Sequence, residues 1–529
     1  MNLRLLLLAF AAFVLGGCST LPPGSDYPRQ ASKAFSHAET TRMGQQVARA
    51  AQAHPGTSGF RILPVGVDGF LTRLEMANAA ERSLDLQYFI LRADETGQLL
   101  ADAVLRAADR GVRVRLLLDD GETAVGDEQL ATLAAHPRIE IRIFNPFAYR
   151  GHRVALRALE FAFNAERLDH RMHNKLFVAD NAVALIGGRN VADAYFQVDP
   201  DGQFADDDVF VQGPMVTELS ASFDEYWNSA LAIPVQALGV GAPARVALED
   251  FRRTLTDKRQ DLKADGAGYA TRAASGEPLA GMLDGRLRVV WAPAQLVCDS
   301  PLKEGVDKGW VVGRLMRRPV AVATAAVQSE LLMITPYLIP GREGMKLFDD
   351  LHRRGVRVRV LTNSLESATV LLAQSGYVKV RRALLDDGVE LYELRSKPGS
   401  ARGSGQSAAM SRFGNYSLHA KLFVMDRTRL FIGSMNFDQR SMHLNTEIGL
   451  IIDSPELAQQ VAARFDAMVQ PANAYALALR PGAAGRRPTL VWRTQEDGRA
   501  VEYDVEPSHS PLRRIEVDLL SRLALDAEL

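Results

Sequence analysis

The order of apolar and polar positions predicts the same run of helix and strand at two places in the chain. Alternating apolar residues predict a strand over 84–91 and another over 331–338. Further along, the sequence Arg-Gly-Val-Arg-Val-Arg occurs at 110–115 and again at 354–359, each time after an amphipathic helical pattern. A glycine directly after such a pattern suits the end of a helix, and the alternating valines that follow predict a strand. Both segments therefore predict a helix that leads into a strand.

Three more blocks recur later in the same order, which indicates an internal duplication. The matching pairs are 173–178 with 419–424, 186–190 with 432–436, and Phe223-Asp224 with Phe465-Asp466. Because the blocks keep their order and a nearly constant spacing, chance does not explain them. We expect an α/β fold with two tandem domains, each a mixed β-sheet flanked by helices, related by a pseudo-twofold axis.

The first residues predict export and attachment to a membrane. Arg4 precedes an unbroken apolar run over 5–15, which has the layout of a secretory signal and is short for a membrane span. The run ends in Leu-Gly-Gly-Cys, which resembles the bacterial lipobox, so Cys18 is predicted to be acylated. A signal followed by a chance cysteine is the alternative interpretation. With Ser19 next, the predicted location is the bacterial cell envelope, lipid-anchored at the periplasmic face of the outer membrane.

Changes in composition along the chain set the predicted domain boundaries. We predict a signal over 1–18, a spacer over 19–58, a first domain over 59–240, a helical linker over 241–284, a second domain over 285–480 and a tail over 481–529. The spacer is assigned from its early Pro, Gly and Ser residues, and the linker from a charged helical pattern that precedes a Gly- and Ala-containing stretch. The tail is polar, with short predicted strands at 489–492 and 501–505.

The overall charge limits the classes of partner. The 529 residues carry 62 Lys and Arg against 63 Asp and Glu, for a net charge of -1. Proteins that bind nucleic acid through a broad face are strongly basic, so no nucleic acid partner is expected. The sequence has two cysteines, and with Cys18 acylated Cys298 is left as a lone thiol, so no disulfide framework is predicted.

Each half contains the same triad of chemically active side chains, spaced as His-x-Lys-x4-Asp. The triads are His173, Lys175 and Asp180 in the first half and His419, Lys421 and Asp426 in the second. In a strand, residues i and i+2 lie on one face, so each His and its Lys are predicted to point the same way. Cleavage of a phosphodiester needs a nucleophile, an acid for the leaving alcohol and positive charge around the phosphate oxygens. The residue types of the two triads can supply all three.

The duplicated pattern resembles the signature of the phospholipase D superfamily, His-x-Lys-x4-Asp-x6-Gly-Ser-x-Asn. The second copy, 419–436, fits it throughout, whereas the first has Gly188 where Ser is usual. The resemblance covers residues 59–480 and implies two tandem phospholipase D-like domains whose motifs form one site. It also implies a two-step reaction through a phosphohistidine, with no cofactor and no metal ion.

The resemblance assigns a role to each motif residue. We assign nucleophilic attack to His173 and acid–base catalysis to His419, and the sequence leaves the reverse assignment open. Asp180 and Asp426 complete the catalytic motifs and are expected to shape the turn after each strand. The residues expected to bind the substrate phosphate are Lys175, Asn190, Lys421 and Asn436.

Each histidine also needs a carboxylate that fixes its tautomer. Glu447 resembles the orienting acid of this superfamily in the second half. In the first half Asp208 is our first choice for the same role, with Asp206 as the alternative.

Within the superfamily, the chain is most similar to bacterial cardiolipin synthases, particularly the C-type. The similarity lies in 171–175, 187–190, 204–209 and the tail segment 492–494. It implies transfer of a phosphatidyl group between membrane phospholipids such as phosphatidylglycerol and phosphatidylethanolamine. A hydrolytic phospholipase D, an exported nuclease of the same fold and an inactive binding protein are the alternatives. Five arginines over 150–171 are expected to form a solvated face or to contact anionic headgroups.

Overall fold

A computed structural model describes most of the chain between residues 21 and 522. The described segments are 21–151, 153–198, 202–239, 245–264, 277–397, 415–482, 487–508 and 510–522. The predicted signal and Cys18 lie outside the described residues.

The chain alternates between strands and helices, as the sequence pattern predicts. The strands are β1 (Ser58–Leu63), β2 (Ser83–Tyr88), β3 (Arg113–Asp119), β4 (Ile139–Phe144), β5 (Leu176–Ala179), β6 (Val183–Gly187), β7 (Gly202–Ala205), β8 (Asp208–Gln212), β9 (Ala232–Pro234), β10 (Val290–Ala292), β11 (Ala294–Cys298), β12 (Glu330–Ile334), β13 (Arg357–Asn363), β14 (Glu390–Leu394), β15 (Asn415–Leu418), β16 (Leu422–Met425), β17 (Arg429–Gly433), β18 (Ile448–Asp453), β19 (Ala474–Arg480), β20 (Thr489–Glu496) and β21 (Arg499–Tyr503). The α-helices are α1 (Arg42–Ala51), α2 (Gly66–Ala79), α3 (Glu95–Asp109), α4 (Asp127–Leu133), α5 (Val154–Phe163), α6 (Ala165–Leu168), α7 (Met215–Trp227), α8 (Arg245–Ala264), α9 (Pro278–Leu283), α10 (Lys303–Asp307), α11 (Arg317–Ala325), α12 (Gly341–Arg353), α13 (Leu371–Asp386), α14 (Pro455–Met468) and α15 (Pro511–Ser521).

Each half forms a mixed sheet, and the two sheets share the same order over eight strands, with β10 added at one edge of the first and β20 and β21 at one edge of the second. The first sheet runs β10-β1-β8-β6-β5-β2-β3-β4-β9, and the second runs β11-β18-β17-β16-β12-β13-β14-β19-β20-β21. In both, the central strands run parallel (β2 with β3, and β12 with β13), and a hairpin (β5–β6, or β16–β17) joins antiparallel to them. The shared topology confirms the predicted α/β fold with two tandem domains.

The repeated Arg-Gly-Val-Arg-Val-Arg sequences have the same structural role in both halves. Gly111 and Gly355 follow α3 and α12 with positive φ values of 97° and 74°, a backbone conformation in which glycine is favoured. The last arginine of the first copy, Arg115, forms an ion pair of 2.7 Å with Asp224. In the second copy Arg359 pairs with Asp466 at 2.6 Å. In both halves the repeat therefore ends one helix, begins the next strand and binds that strand to a later helix.

A shared hydrophobic core joins the two halves. One cluster of buried side chains contains residues from both sheets together with Phe223 and Trp227 of α7 and Phe465 of α14. The outer face of each sheet is covered by separate clusters, with Phe70 of α2 in the first half and Phe348 of α12 in the second. The interface between the halves is thus built like a domain interior, which keeps the two motifs in a fixed relation.

The structure differs from the predicted domain boundaries at three places. Residues 42–51 of the predicted spacer form α1, where Met43 and Val47, four residues apart on one face, are buried in the first half. Strand β10 lies within the predicted second domain, yet it pairs with β1 and completes the first sheet. The tail extends the second sheet by β20 and β21, and α15 packs on α13.

Among the described residues, none of the helices combines the length and the apolar character that a bilayer span requires.

Candidate active site

The two His-x-Lys segments lie just before strands β5 and β16, whereas the sequence predicted them within the strands. The main-chain N–H of His173 donates to the carbonyl oxygen of Thr446 at 2.9 Å. The N–H of His419 donates to the carbonyl oxygen of Ala205 at 2.9 Å, directly after the parallel pair β7–β15. Each motif is therefore held extended by the main chain of the opposite half.

Each histidine also contacts a carboxylate of the opposite half. Nδ1 of His173 lies 2.9 and 3.0 Å from the two carboxylate oxygens of Glu447. Nδ1 of His419 lies 2.6 Å from Oδ2 of Asp206. A carboxylate at Nδ1 favours the tautomer with its proton on that atom, which leaves Nε2 for chemistry.

The prediction that Asp208 orients a histidine is wrong, because its carboxylate binds two arginines instead. Asp208 Oδ2 lies 2.8 Å from Arg73 and 3.2 Å from Arg189. The alternative, Asp206, makes the histidine contact. Positions 206, 207 and 208 are all Asp, so the residue type did not show which of the three contacts the histidine.

The pairing register of the sheets explains which carboxylate is used. Gly187 pairs with Asp208, and Gly433 pairs with Gly449. Asp206 and Glu447 each lie two residues before those partners, so they occupy equivalent positions. Once that register is known, counting two residues back from the partner of each glycine identifies both acids.

Gly188 makes room for the shorter acid of the first half. A Cβ atom on Gly188 would lie 2.1 Å from Oδ1 of Asp206, so any side chain there would displace that carboxylate. The equivalent residue of the second half, Ser434, instead donates its hydroxyl hydrogen bond to Glu447. The first half thus has Gly188 where the motif usually has Ser, and it has the shorter Asp206 where the second half has Glu447.

A buried network holds Glu447 in position. Ser441 Oγ donates to Glu447 Oε1 at 2.8 Å, and Asp299 Oδ2 accepts from the Glu447 main-chain N–H at 3.0 Å. The ammonium group of Lys303 then binds Asp299 at 3.0 Å and the carbonyl oxygens of Ser441 and Asn445 at 2.7 Å. Ser441, Asp299 and Lys303 lie outside the repeated blocks, so the motifs did not predict them.

The motif lysines and asparagines surround the histidines. Nζ of Lys175 donates to the carbonyl oxygen of His173 at 2.6 Å, and Nζ of Lys421 donates to that of His419. Asn190 donates to the Tyr195 hydroxyl at 2.9 Å. Oδ1 of Asn436 is buried without a hydrogen-bond partner among the described residues.

Burial and neighbouring charges shift the pKa values of these groups. Burial, reinforced by the nearby lysine ammonium groups, lowers the pKa of His173 well below its usual range and that of His419 to about 3. Burial also raises the pKa of Glu447 to about 7 and lowers the pKa of Lys421 to about 8. Both imidazoles are therefore neutral at pH 7 in the free protein, as a nitrogen nucleophile requires.

Both histidines line one pocket between the halves. The pocket has a volume of about 850 Å³, and its wall includes His173, His419, Asn190 and Asn436. Two aromatic side chains that the motif analysis missed lie against the imidazoles. Tyr195 places its hydroxyl 3.5 Å from Nε2 of His419, and Phe89 meets the ring of His173 edge-on at 5.0 Å.

The motif aspartates lie outside this pocket, at the turns after β5 and β16. Asp180 accepts hydrogen bonds of 2.7 to 2.9 Å from three main-chain N–H groups at the start of β2. Asp426 does the same at the start of β12. Both aspartates therefore join strands and shape the turns, and their place among the catalytic residues stays a prediction.

Four of the five arginines over 150–171 bind groups of the protein itself, which argues against a face of free guanidinium groups. Arg150 pairs with Asp120 and Asp127, and Arg157 donates to the carbonyl oxygen of Asp120 at 3.0 Å. Arg167 and Arg171 bind around Asn145, where Arg171 donates to its carbonyl oxygen at 2.8 Å. Arg153 is exposed.

Comparison with known proteins defines the class of this fold and site. Residues 74–227 and 323–469 match the family described as "Cardiolipin synthase, PLD-like domain". The paired motifs and this match define an enzyme of the phospholipase D superfamily, a phosphatidyltransferase, as the sequence analysis predicted. Within that superfamily, the chain belongs to the cardiolipin synthase family.

Two relatives match over most of the chain. Cardiolipin synthase C of Escherichia coli (strain K12) is 36% identical over 487 residues, which cover 92% of this chain and 99% of the relative. An uncharacterized protein of Helicobacter pylori (strain ATCC 700392 / 26695) is 27% identical over 517 residues, 97% of each chain. The crystal structure of phosphatidylserine synthase from Haemophilus influenzae Rd KW20 aligns with a TM-score of 0.49 at 14% identity, over 82% of this chain and 92% of that one.

Proposed function

We propose that the protein transfers a phosphatidyl group from one membrane phospholipid to the hydroxyl group of another and so makes cardiolipin. The observation that carries the proposal is the pair of imidazoles in one pocket, each oriented by a carboxylate of the opposite half. Two histidines can divide the work of nucleophile and acid–base catalyst. The E. coli relative named cardiolipin synthase C supports the choice of product.

In the first step, Nε2 of His173 attacks phosphorus and forms a phosphorus–nitrogen bond. The bond between phosphorus and the headgroup oxygen breaks, and Nε2 of His419 gives its proton to that oxygen. The headgroup alcohol leaves, and the phosphatidyl group stays on His173.

In the second step, the hydroxyl of a second phospholipid gives its proton to His419 and attacks phosphorus. The phosphorus–nitrogen bond breaks, His173 is restored, and the new phosphodiester leaves. Water in place of the lipid hydroxyl would give phosphatidic acid by the same route.

Positive charge beside the two histidines is proposed to prepare both steps. Lys175, Lys421, Asn190 and Asn436 provide donors for the non-bridging phosphate oxygens. The bound phosphodiester brings a negative charge beside the lysines, which raises the pKa of His419 and lets it carry the proton that it donates. These cationic side chains take the electrophilic role that a metal ion has in many phosphoesterases.

Attachment to a membrane favours a lipid acceptor over water. A protein held at the bilayer surface meets lipid hydroxyl groups at a high effective concentration, without any new contact in the site. Acylation of Cys18 on the periplasmic side of the outer membrane would provide this attachment. Phosphatidylglycerol and phosphatidylethanolamine are the proposed substrates.

The test is a product analysis with the anchored enzyme in phosphatidylglycerol and phosphatidylethanolamine membranes, with and without a chelator. We expect cardiolipin as the main product, unchanged by the chelator. Phosphatidic acid alone would identify a hydrolytic phospholipase D, and cleavage of DNA without turnover of lipid would identify a nuclease. Loss of activity in chelator, restored by a divalent ion, would contradict the metal-free route.

A further inference from the structure

Helix α5 carries its apolar side chains toward solvent. None of its ten residues, all of which the structure describes, is buried. Val154 is 81% exposed, Leu159 53% and Phe163 61%. A helix with this composition is normally buried in a protein interior, because water does not favour exposed apolar side chains.

The charged residues of α5 point the other way, into the protein. The guanidinium group of Arg157 lies 4.2 Å from the ring centre of Phe147 and donates to the carbonyl oxygen of Asp120. The carboxylate of Glu160 accepts from the main-chain N–H groups of Ala148 and Tyr149 at 2.7 and 2.8 Å. The polar face of the helix is thus bound by the protein and the apolar face is left outside, the reverse of a surface helix in water.

A second exposed apolar segment comes from the other half and lies near α6, which directly follows α5. Trp310 is 72% exposed, and Val311 and Val312 beside it are exposed as well. Lys308 lies 4.6 Å from the ring centre of Trp310 and bonds to Glu166 of α6 at 3.2 Å. We call α5 together with residues 310–312 the apolar rim.

Contacts on both sides connect the apolar rim to the mouth of the pocket. Arg157 of α5 binds Asp120, and Glu122, two residues on, lines the pocket. Asp169, directly after α6, binds Arg440 at 2.7 Å, and Arg440 is also part of the pocket wall. The rim is therefore connected through Asp120 and Asp169 to the part of the pocket wall that contains Glu122 and Arg440.

We propose that the apolar rim inserts into the surface of a lipid bilayer and places the pocket mouth against it. The inference rests on the proposed function, since a substrate with two acyl chains stays in the bilayer and the pocket must meet it there. Exposed Leu, Phe and Trp with a neighbouring lysine are the residue types of interfacial membrane segments, which enter to a depth of roughly 5–10 Å. The continuity of the rim with the pocket selects a bilayer as the occupant over a second copy of the chain.

Trp310 provides a direct probe in the full-length protein. The chain has four tryptophans, of which Trp227 and Trp492 are buried and Trp291 is half-buried. Vesicles of phosphatidylethanolamine and phosphatidylglycerol with brominated acyl chains should quench part of the tryptophan fluorescence of the unaltered protein. That quenched part should be missing in Trp310→Phe. Quenching that is the same in Trp310→Phe, or absent, overturns the proposal.

A paired activity assay separates docking from catalysis. The double variant Leu159→Asp and Phe163→Asp should lower turnover of phospholipid in vesicles by about tenfold or more, because each side chain loses burial in the bilayer. It should leave turnover of a short-chain phospholipid, dispersed as monomers, within about twofold of the unaltered protein. Val322→Asp, at a 72% exposed position on α11, is the matched control and should change neither rate.

The outcomes distinguish this inference from the proposed function. An equal loss on both substrates in the double variant means a structural role for α5 and overturns the docking surface. A lipid-free dimer that the double variant dissociates means that a second copy covers the rim, which also overturns it. Quenching of Trp310 in a protein that turns over neither lipid substrate leaves the docking surface intact and contradicts the proposed function.

Discussion

Nδ1 of His173 lies 2.9 Å from a carboxylate oxygen of Glu447, although 274 residues separate them along the chain. The contact between His419 and Asp206 crosses between the halves in the opposite direction. Neither motif therefore has a complete set of partners within its own half, and each imidazole depends on the other domain for its tautomer.

The first prediction follows from this crossing. Glu447→Gln and Asp206→Asn should each lower kcat roughly 10³- to 10⁴-fold, because an amide does not hold the imidazole in the required tautomer. His173→Ala or His419→Ala alone should remove essentially all activity, as residues that act as a unit do. Rates of phosphatidyl transfer, with circular dichroism to check folding, provide the measurement. A single histidine variant that keeps about half of the activity would show two independent sites.

The second prediction concerns Gly188. Gly188→Ser should lower kcat about as much as Asp206→Asn, because the new Cβ would lie 2.1 Å from the Asp206 carboxylate. Ser434→Gly is the matched control, and it removes one hydrogen bond to Glu447. That loss should cost roughly tenfold to a hundredfold, the range for a hydrogen bond to a charged group. Equal activity of Gly188→Ser and the unaltered protein would contradict the assigned role of Asp206.

The third prediction is a narrow pH optimum for kcat at saturating substrate, where the bound phosphodiester keeps His419 protonated. Glu447, with a pKa of about 7, carries its negative charge above that pH, where it can hold the Nδ1 proton of His173. Lys421, with a pKa of about 8, loses its positive charge above that pH and with it the attraction for phosphate. The rate should therefore rise through about pH 7 and fall through about pH 8. Glu447→Gln should lack the acidic limb, and a flat profile from pH 6 to 9 would contradict the assignment.

The fourth prediction separates stability from catalysis at the motif aspartates. Asp180→Ala should lower the free energy of unfolding by about 2–4 kcal/mol, because it leaves three main-chain N–H groups at the start of β2 without this acceptor. The folded fraction should keep nearly its full kcat, since Asp180 lies at the far end of β5 from His173. Denaturant titration and activity at low temperature measure the two effects. A large loss of kcat with unchanged stability would place Asp180 in the catalytic set.

The fifth prediction concerns the N-terminus. Cys18→Ser should abolish acylation and move the protein out of the membrane fraction, because the apolar rim alone gives reversible binding. Mass spectrometry of the N-terminal peptide and fractionation of the envelope test this. A variant that is still acylated and sediments as before would contradict the lipobox interpretation.

Repetition made the fold and the motifs predictable from the sequence. The repeated blocks carry the strand order and both His-x-Lys pairs, because each block needs the same backbone conformation and the same burial in both halves. The choice of Asp206 over Asp208 required the register between β6 and β8, which the sequence alone does not state. Lys303 could not be predicted, because its role depends on contacts with segments more than a hundred residues away.

The sequence also did not predict which face of α5 points toward solvent. The five arginines over 150–171 were expected to form a solvated face or to contact anionic headgroups, yet Arg157 turns inward to Asp120 and Phe147. A pattern of charged and apolar residues gives the two faces of a helix, but it does not say which face meets the protein.

The parallel pair β7–β15 has a consequence for how the enzyme turns over. One strand comes from each half, and the pair ends at Ala205 and Leu418, beside Asp206 and His419. Any hinge motion that parted the domains would break this ladder and separate His419 from the acid that orients it. On the proposed function, phospholipids would enter and leave the pocket while the two domains stay closed, by moving sideways between the bilayer and the pocket.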